Sequence, residues 1–404
     1  MLRIGLLTSG GDCQALNATM RGIVKTLMTN SEEPIEIYGF EDGYQGLIYS
    51  RFRVMTPADF SGILTRGGTI LGTSRTPFKR LDIPEADGVE KVPAMVHTYH
   101  KLQLDCLFML GGNGSTKTAN RLREEGLNVI ALPKTIDNDL FGTDHCPGYA
   151  SAAKYIATSM MEVYHDAHVY DTGMIVVMEI MGRHAGWLTA AAALAGEYGA
   201  GPDLIYLPEV DFDMDQFLAD VERIYKEKGN CMVAVSEGIH YEDGGFVSEA
   251  KVAANDGFGH AQLGGLAAML AQVLKEETGA KVRGIELSLL QRCGAHLASE
   301  TDIEESFMAG KAAVENAVNG INGRMIGFER GVRDGRYACK TKLIPLMEVA
   351  NVEKKIPREW INAEGNGVNH QFIEYALPLI QGEPDLPKVD SLPRFAKLKK
   401  ILAK

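Results

Sequence analysis

The sequence predicts an α/β fold with mostly parallel sheets. The main reason is a repeated order of apolar strand, glycine turn and helix: RIGLLT leads into SGGD and ALNATMRGIVKTLM, and LDCLFML leads into GGNGS and TKTANRLREEG. The 44 glycines, many of them in pairs, are typical of tight turns between strands and helices. With 404 residues, 45% of them hydrophobic, the chain is long enough for two or three domains with ample core.

The later elements repeat this order. NVIALP is a further short strand, TGMIVVMEI leads into MGRHAG and the helix WLTAAAALAGEYG, and GNCMVAVSE leads into a loop rich in Gly and Asp. AQLGGLAAMLAQVLKEETG is a helix that ends at Gly279. Ligands of such sheets bind beyond the carboxyl ends of the strands, where the glycine turns fall. The tail from about residue 380 is rich in Pro and Lys and is predicted to be a surface extension with a short final helix.

Composition and charge exclude several classes of protein. The formal net charge of −12 gives no overall attraction to nucleic acid or to anionic membranes, so any anion site must be local. No run of about 18 apolar residues predicts a membrane span. MLRIGLLTSGGD enters a strand at once and does not resemble a signal peptide. The six cysteines form no CxxC pair, which is typical of reduced thiols. We therefore predict a cytoplasmic protein with neither a nucleic-acid nor a membrane partner.

Two glycine turns have the composition of phosphate sites. TSGGD (8–12) and GGNGS (111–115) each follow an apolar strand and precede a helix. Glycine lets the backbone approach a phosphate, and the helix presents its positive N-terminal end. Either turn alone is equally explained as the geometry of a strand–helix connection. Together they predict a phosphate-rich ligand.

The segment PKTIDNDL (133–140) carries the most specific chemistry. Asp137 and Asp139 are two residues apart just after a strand, so in an extended turn they point the same way. One carboxylate can accept a proton from an attacking hydroxyl while the other orients it or holds Mg²⁺. Thr135 can hydrogen-bond a moving phosphoryl group, and Lys134 adds a positive charge. The alternative is a polar turn with helix-capping aspartates.

Charged residues at the ends of three other strands could complete this site. Arg183, in MGRHAG (181–186), is predicted to open a helix and can stabilise charge that develops in a transition state. Arg283 and Arg292 bound the predicted strand RGIELSLLQRCG and could grip a sugar phosphate in bidentate fashion. Glu237, after VAVS, could accept hydrogen bonds from sugar hydroxyls. Structural ion pairs are the alternative for the arginines.

The order of these motifs resembles that of the phosphofructokinase family. TSGGD, GGTILGTSR, GGNGS, PKTIDND, MEIMGR, SEG and LLQRCG follow one another from about residue 3 to residue 300. Lipid and NAD kinases share a GGDGT-like turn, but TIDND followed by MGR is not expected in them. GHAQLGGLAAML looks like the bacterial branch that includes both ATP- and pyrophosphate-using members. The resemblance implies two similar Rossmann-like α/β domains with the active site in the cleft between them.

The resemblance also implies the reaction and the domain organisation. The reaction is transfer of a phosphoryl group, with Mg²⁺, to the 1-hydroxyl of fructose 6-phosphate, a step of glycolysis. Residues 1–148 and about 296–345 would bind the phosphoryl donor. Residues 149–295 would bind the sugar phosphate, with the extension of about 346–404 packed on them. An arginine like Arg283 often reaches into a neighbouring subunit's site in this family, which implies a homo-oligomer, either a dimer or a tetramer.

Individual roles follow position by position from the resemblance. Asp137 would be the general base, supported by Thr135 and Asp139, and Arg183 would stabilise the transferring phosphoryl group. Asn113 and Asp139 are the candidate magnesium ligands. The implied donor-binding residues are Gly11, Arg75, Thr76, Gly112, Asn113, Gly114, Ser115 and Lys134. The implied substrate-binding residues are Thr135, Asp137, Met181, Gly182, Arg183, Glu237, Arg283 and Arg292.

Three positions depart from the family pattern. Asn113 replaces an aspartate that helps to hold Mg²⁺, so weaker metal binding is expected. Leu289 occupies a position near the sugar phosphate where the family often has His or Tyr, and Met174 replaces an arginine near the start of the MGR strand. These changes motivate a second hypothesis, a non-catalytic regulatory paralogue that binds sugar phosphate without turning it over.

The two positions associated with donor choice disagree. Gly114 is the residue of ATP users, because an aspartate there would exclude a nucleotide by volume and by charge. Lys134 is the residue of pyrophosphate users, but its positive charge is compatible with either donor. A residue that excludes one donor determines the choice more strongly than a residue that attracts both. We therefore predict ATP as the donor and keep pyrophosphate as the alternative.

Overall fold

Two separate sheets organise the computed structural model, which describes residues 1–10, 13, 15–31, 33–74, 76–248, 265–349 and 352–398. The strands are β1 (Leu2–Thr8), β2 (Ile35–Phe40), β3 (Phe52–Met55), β4 (Cys106–Gly111), β5 (Val129–Pro133), β6 (Ile175–Ile180), β7 (Leu204–Tyr206), β8 (Cys231–Ser236), β9 (Val282–Glu286), β10 (Arg324–Arg333), β11 (Arg336–Pro345), β12 (Lys388–Val389) and β13 (Leu392–Pro393).

The α-helices lie mostly between successive strands. They are α1 (Leu16–Asn30), α2 (Tyr44–Ile48), α3 (Lys91–Lys101), α4 (Asn113–Glu124), α5 (Tyr149–Ala167), α6 (Trp187–Ala190), α7 (Met214–Lys228), α8 (Leu266–Thr278), α9 (Leu290–Cys293), α10 (Glu300–Val318), α11 (Leu346–Val349) and α12 (His370–Ala376). Short 3₁₀ segments follow α6 at Ala191–Tyr198 and α12 at Leu377–Ile380.

The first sheet has seven strands in the order β11-β10-β5-β4-β1-β2-β3, and the second has four in the order β7-β8-β6-β9. All pairings in the second sheet are parallel. In the first sheet only the edge strands β3 and β11 run antiparallel to their neighbours. The α/β fold with mostly parallel sheets is thus confirmed. Strands of the first sheet come from residues 2–133 and 324–345, and those of the second from residues 175–286.

Burial explains why the strand segments are continuous apolar runs. Every residue of β4, β5, β6 and β8 is buried, because helices cover both faces of a parallel sheet. Helix α1 buries Leu16, Met20, Ile23 and Leu27, whose spacing of three or four residues forms one face of a helix. All six cysteines lie in described positions, and none of them forms a disulfide. In the described part of the chain, no helix is both long and apolar enough to cross a membrane.

Three predicted elements differ in detail. Helix α4 begins at Asn113, inside the predicted glycine turn, so the turn and the helix N-terminus are one feature. WLTAAAALAGEYG forms only four α-helical residues before it tightens to a 3₁₀ helix. In the tail, residues 388–393 form the hairpin β12–β13. Residues 394–398 are not helical, and the rest of the region predicted as the final helix lies outside the described residues.

The C-terminal segment packs against elements of both sheets. Phe372, Tyr375 and Leu379 belong to the same buried cluster as Trp187 and Ile205. The side chain of Arg66, beyond β3, donates to the backbone carbonyl of Ala396 (2.5 Å). These contacts place the segment across the junction between the two sheets.

Candidate active site

The turn that follows β5 presents the two aspartates of PKTIDNDL. Asn138 between them is fully buried and adopts a left-handed conformation with φ of 56°. Its Nδ2 donates to the Tyr375 hydroxyl (2.8 Å), and its Oδ1 accepts from the backbone N–H of Cys146 (2.9 Å). The Thr135 hydroxyl accepts from the backbone N–H of Asp137 (3.1 Å). These hydrogen bonds hold the turn that carries both carboxylates against the protein interior.

Lys134 links this turn to the first glycine turn. Its side chain is buried, and its Nζ lies 3.4 Å from the point that a Cβ on Gly10 would occupy. Its backbone N–H donates to the carbonyl of Gly111 (3.1 Å), at the start of GGNGS. The ends of β1, β4 and β5 thus bring TSG, GGNGS and PKT together, as predicted for a phosphate site at the carboxyl ends of parallel strands.

The two carboxyl groups have raised pKa values. Burial raises the pKa of Asp137, while the positive charges of Lys134, His184 and Arg183 act in the opposite direction. Burial, together with the negative charges of Asp137 and Glu353, raises the pKa of Asp139 to about 7. Two neighbouring carboxyl groups with shifted pKa values in a cleft are typical of proton-transfer sites.

The second sheet supplies the other side of the site. Strands β6 and β8 pair at Ile180 and Ser236, so the loops that follow them are adjacent. The backbone N–H of Gly182 donates to Glu237 Oε1 (3.3 Å), and the hydroxyl of Ser236 donates to the carbonyl of Gly182 (2.5 Å). Burial, with the charge of Asp137, raises the pKa of Glu237 to about 7, whereas Arg183 lowers it. Asp137, Arg183 and Glu237 therefore share one electrostatic environment across the cleft.

Arg183 is held by a close backbone contact. A Cβ on Gly238 would lie 2.0 Å from the carbonyl oxygen of Arg183, so only glycine fits there. Arg183 was predicted to open a helix, but α6 begins four residues later, at Trp187. The arginine instead lies in an irregular loop, where its positive charge acts to lower the pKa values of Asp137 and Glu237.

The glycine turn GGNGS offers a ligand for a cation. Gly112 precedes α4, and Asn113 is its first residue. The side-chain oxygen of Asn113 is shielded from solvent and has no hydrogen-bond partner among the described residues. An unpaired amide oxygen and the carboxylate of Asp139 are the hard oxygen donors that Mg²⁺ takes, so these residues fit the metal. Gly114 is exposed, and a Cβ there would meet nothing within 4 Å. Ser115 is buried.

The segment LLQRCG lies beside the second sheet but not as a strand. Strand β9 ends at Glu286, and after Ser288, with φ of 43°, the chain enters the short helix α9. Gln291 in α9 is buried, and its Oε1 accepts from the backbone N–H of Met181 (3.3 Å). Arg292 follows and is half-buried. The predicted strand from 283 to 292 is therefore wrong in its second half, because the chain turns back to contact Met181.

Some predicted residues lie apart from this cleft. Arg283 is exposed and pairs in register with Val176, five residues before Met181. At about 3.3 Å per residue, this places it roughly 16 Å along the sheet from the site of its own chain. Met174 is buried at the same end of β6, and Leu289 is exposed. A direct role for Arg283 in this site would therefore depend on a second subunit. Thr76 is half-buried, and Gly11 and Arg75 lie outside the described residues.

Comparison with known proteins identifies the family. The family model described as phosphofructokinase matches residues 3–316. The chain belongs to the phosphofructokinase family.

Individual relatives carry two different names. The pyrophosphate–fructose 6-phosphate 1-phosphotransferase of Halomonas elongata is 36% identical, with 97% of this chain and 95% of the relative covered. The ATP-dependent 6-phosphofructokinase of Spirochaeta thermophila is 39% identical, with 87% and 92% covered. The crystal structure of a pyrophosphate-dependent phosphofructokinase from Marinobacter aquaeolei superposes with a TM-score of 0.86 at 31% identity, covering 100% of this chain and 98% of that one.

Several residues of this phosphofructokinase family site escaped sequence reasoning. Asn138 lies inside the TIDND motif, but sequence reasoning assigned it no role because its amide does not take part in the chemistry. Gln291 is adjacent to Arg292 and was passed over in favour of that arginine. Lys354 and Tyr375 contact the turn from the C-terminal segment. NVEKKIP and IEYA have no motif that could have indicated this contact.

Proposed function

We propose that this phosphotransferase is a 6-phosphofructokinase, which transfers a phosphoryl group to the 1-hydroxyl of fructose 6-phosphate to give fructose 1,6-bisphosphate. The observation that carries the proposal is the arrangement around Asp137. Its half-buried carboxyl group lies at the meeting point of the two sheets, within the electrostatic reach of Lys134 and Arg183. A base and two cations at one point are what in-line phosphoryl transfer to an alcohol requires.

In this proposal Asp137 accepts the proton of the sugar 1-hydroxyl as its oxygen bonds to the transferred phosphorus. The bond from phosphorus to the donor's bridging oxygen breaks, and the leaving group is ADP or phosphate. Because burial raises the pKa of its carboxyl group, Asp137 is a stronger base than an exposed aspartate. Lys134 and Arg183 stabilise the negative charge of the transferred group, and Thr135 orients it.

The remaining groups bind and orient the reactants. Asn113 and Asp139 would hold Mg²⁺, which supplies charge neutralisation on the donor phosphates when bound. Glu237, Met181, Gly182 and Arg292 bind the sugar phosphate, with Arg283 supplied by a neighbouring subunit of a dimer or tetramer. The two sheets belong to a donor domain (1–148 and about 296–345) and a sugar-phosphate domain (149–295). The C-terminal extension adjoins both, and the enzyme acts in the cytoplasm.

We favour ATP as the donor because of Gly114. This position is exposed and opens onto free space, and no carboxylate there obstructs a nucleotide. Pyrophosphate is the second candidate. It is favoured by the buried Lys134 at the glycine turns and by relatives such as that of Halomonas elongata. Relatives named for ATP, such as that of Spirochaeta thermophila, are equally similar in sequence.

The test is the initial rate of fructose 1,6-bisphosphate formation with Mg²⁺ and either donor at matched concentrations. The proposal expects turnover with ATP, and it expects Gly114→Asp to abolish ATP use because the new carboxylate repels the nucleotide. Turnover with pyrophosphate alone would assign the donor to the second candidate and make the argument from Gly114 wrong. Binding of fructose 6-phosphate without turnover from either donor would overturn the enzyme assignment and favour the regulatory paralogue.

A further inference from the structure

The C-terminal segment reaches the centre of the catalytic turn. Asn138, between the two aspartates, uses its amide oxygen and nitrogen on three partners. Two of these, Lys354 and Tyr375, belong to a segment more than 200 residues away in the chain. A left-handed asparagine is tolerated but uncommon, and such a conformation persists only where the surroundings determine it. Two of the three contacts that hold Asn138 in this conformation come from the C-terminal segment.

Lys354 joins the two sides of the cleft. Its three N–H donors are all used: Nζ donates to Asn138 Oδ1 (3.2 Å), to the carbonyl of Thr143 (3.3 Å) and to that of Asp144 (2.6 Å). Its backbone N–H donates to the carbonyl of Asp139 (2.8 Å). Its own carbonyl accepts from the indole N–H of Trp187 (2.8 Å), at the start of α6.

Tyr375 completes the same connection. Its hydroxyl accepts from Asn138 and donates to the carbonyl of Asp144 (2.7 Å). Its ring lies 5.1 Å from the ring of Trp187, and the guanidinium of Arg330 stacks on it at 4.7 Å. The hydroxyl of Tyr375 therefore holds the amide of Asn138, while Trp187 of α6 and Arg330 of β10 hold the ring of Tyr375 in place.

We propose that Lys354 and Tyr375 are positioning residues for catalysis, which act through Asn138 to hold Asp137 and Asp139 in line with Arg183. The inference rests on the proposed function, since it concerns the geometry of the proposed base. In this role both side chains act through their contacts with the turn and not through contact with the substrate. Loss of either contact frees a buried amide group and lets the turn relax, and a displacement of about 1 Å at reacting groups costs roughly 10²-fold in rate.

The variants for the test are Tyr375→Phe and Lys354→Met. Tyr375→Phe removes one oxygen atom and keeps the ring packing. Tyr337→Phe is the matched control, because the Tyr337 hydroxyl donates to Glu305 (2.8 Å) in a neighbouring network without contacting Asn138. Lys154→Met is the control for the lysine. The Lys154 ammonium also contacts the C-terminal segment, because it donates to the carbonyl of Gly382 (2.6 Å), but among the described residues it makes no hydrogen bond to the turn that carries the aspartates.

A positioning role predicts that both variants lower kcat about tenfold or more while KM for fructose 6-phosphate changes less than about threefold. The two controls keep kcat within about twofold of wild type. Thermal unfolding monitored by circular dichroism establishes that each variant is folded. If the controls lose as much kcat as the variants, the segment merely stabilises the fold and the inference is wrong.

A double-mutant cycle tests whether Tyr375 acts through Asn138. Asn138→Gly removes the amide while glycine accepts the left-handed backbone. In that background Tyr375→Phe should cause no further loss of kcat, because the contact is already absent. If Tyr375→Phe causes an equal loss of kcat in both backgrounds, this inference is wrong while the proposed function still stands. If the wild-type protein turns over neither donor, the proposed function fails and this inference fails with it.

Discussion

The substitution Asp139→Asn should make the protein more stable at alkaline pH while it impairs catalysis. In the folded protein burial and the neighbouring carboxylates raise the pKa of Asp139 to about 7, from an ordinary value of 3.8. Between these two values the folded state holds a proton that the unfolded chain has released. Stability therefore falls as pH rises through this window, and the full penalty is present above about pH 7.

The size of the effect follows from the shift. About three pKa units correspond to roughly 4 kcal/mol, and because part of this shift depends on the charge of Asp137 we expect about 2 to 4 kcal/mol. With the unfolding entropy expected for a chain of this length, this raises Tm by roughly 2 to 5 °C at pH 8. At pH 5 the difference shrinks to roughly 40% of its full size, because pH 5 lies only about 1.2 pKa units into a window of about 3.2 units.

Thermal unfolding of wild type and Asp139→Asn at pH 5 and pH 8 is the assay. Asp144→Asn is a control of opposite sign. Although burial opposes it, hydrogen bonds from His145 and Arg330 hold the pKa of Asp144 well below its usual range. That carboxylate stabilises the fold at neutral pH, so its variant should unfold at a lower temperature. The reasoning is refuted if Asp139→Asn is no more stable than wild type at pH 8, or if it gains equally at both pH values.

Three further predictions concern the rest of the site. Gly238→Ala should lower kcat, because its Cβ would displace the Arg183 carbonyl, whereas Gly196→Ala, which meets nothing within 4 Å, should not; unchanged kcat in the first variant would contradict this. The pH profile of kcat/KM should fall below about pH 7 as Glu237 gains a proton, and the raised pKa of Asp137 adds to the loss of rate as pH falls; a profile flat down to pH 5 would contradict the raised pKa values. Asn113→Asp should strengthen Mg²⁺ binding, measured by the metal concentration needed for half-maximal thermal stabilisation; an unchanged midpoint would show that Asn113 is no ligand.

The sequence predicted the parts of the site that are contiguous in the chain. TIDND, GGNGS and MGR each follow a strand, and parallel strands present their carboxyl ends at one edge, so local pattern and fold class together bring these motifs near one another. The pairing of β6 with β8 then places Glu237 beside Gly182, as their strand-end positions suggested.

Contacts between distant segments were beyond the reach of sequence patterns. Lys354 lies in a loop without periodicity, and its role is visible only from its contacts with Asn138 and Asp139. Arg283 was selected by its position at a strand end, but it lies at the amino end of β9, and because β9 runs parallel to β6 that end is far from the site. Residue type and spacing do not specify which end of a strand faces the ligand until the direction of the chain is known.

The most direct test of the account is a comparison of wild type with Asp137→Asn. The initial rate of fructose 1,6-bisphosphate formation would be measured with Mg²⁺ and the better of the two donors, and fructose 6-phosphate binding by calorimetry. If Asp137 is the base, the substitution lowers the rate by about 10²- to 10⁴-fold and leaves the fold and sugar-phosphate binding nearly unchanged. A variant that binds the sugar phosphate and keeps more than about a tenth of the wild-type rate would contradict the account.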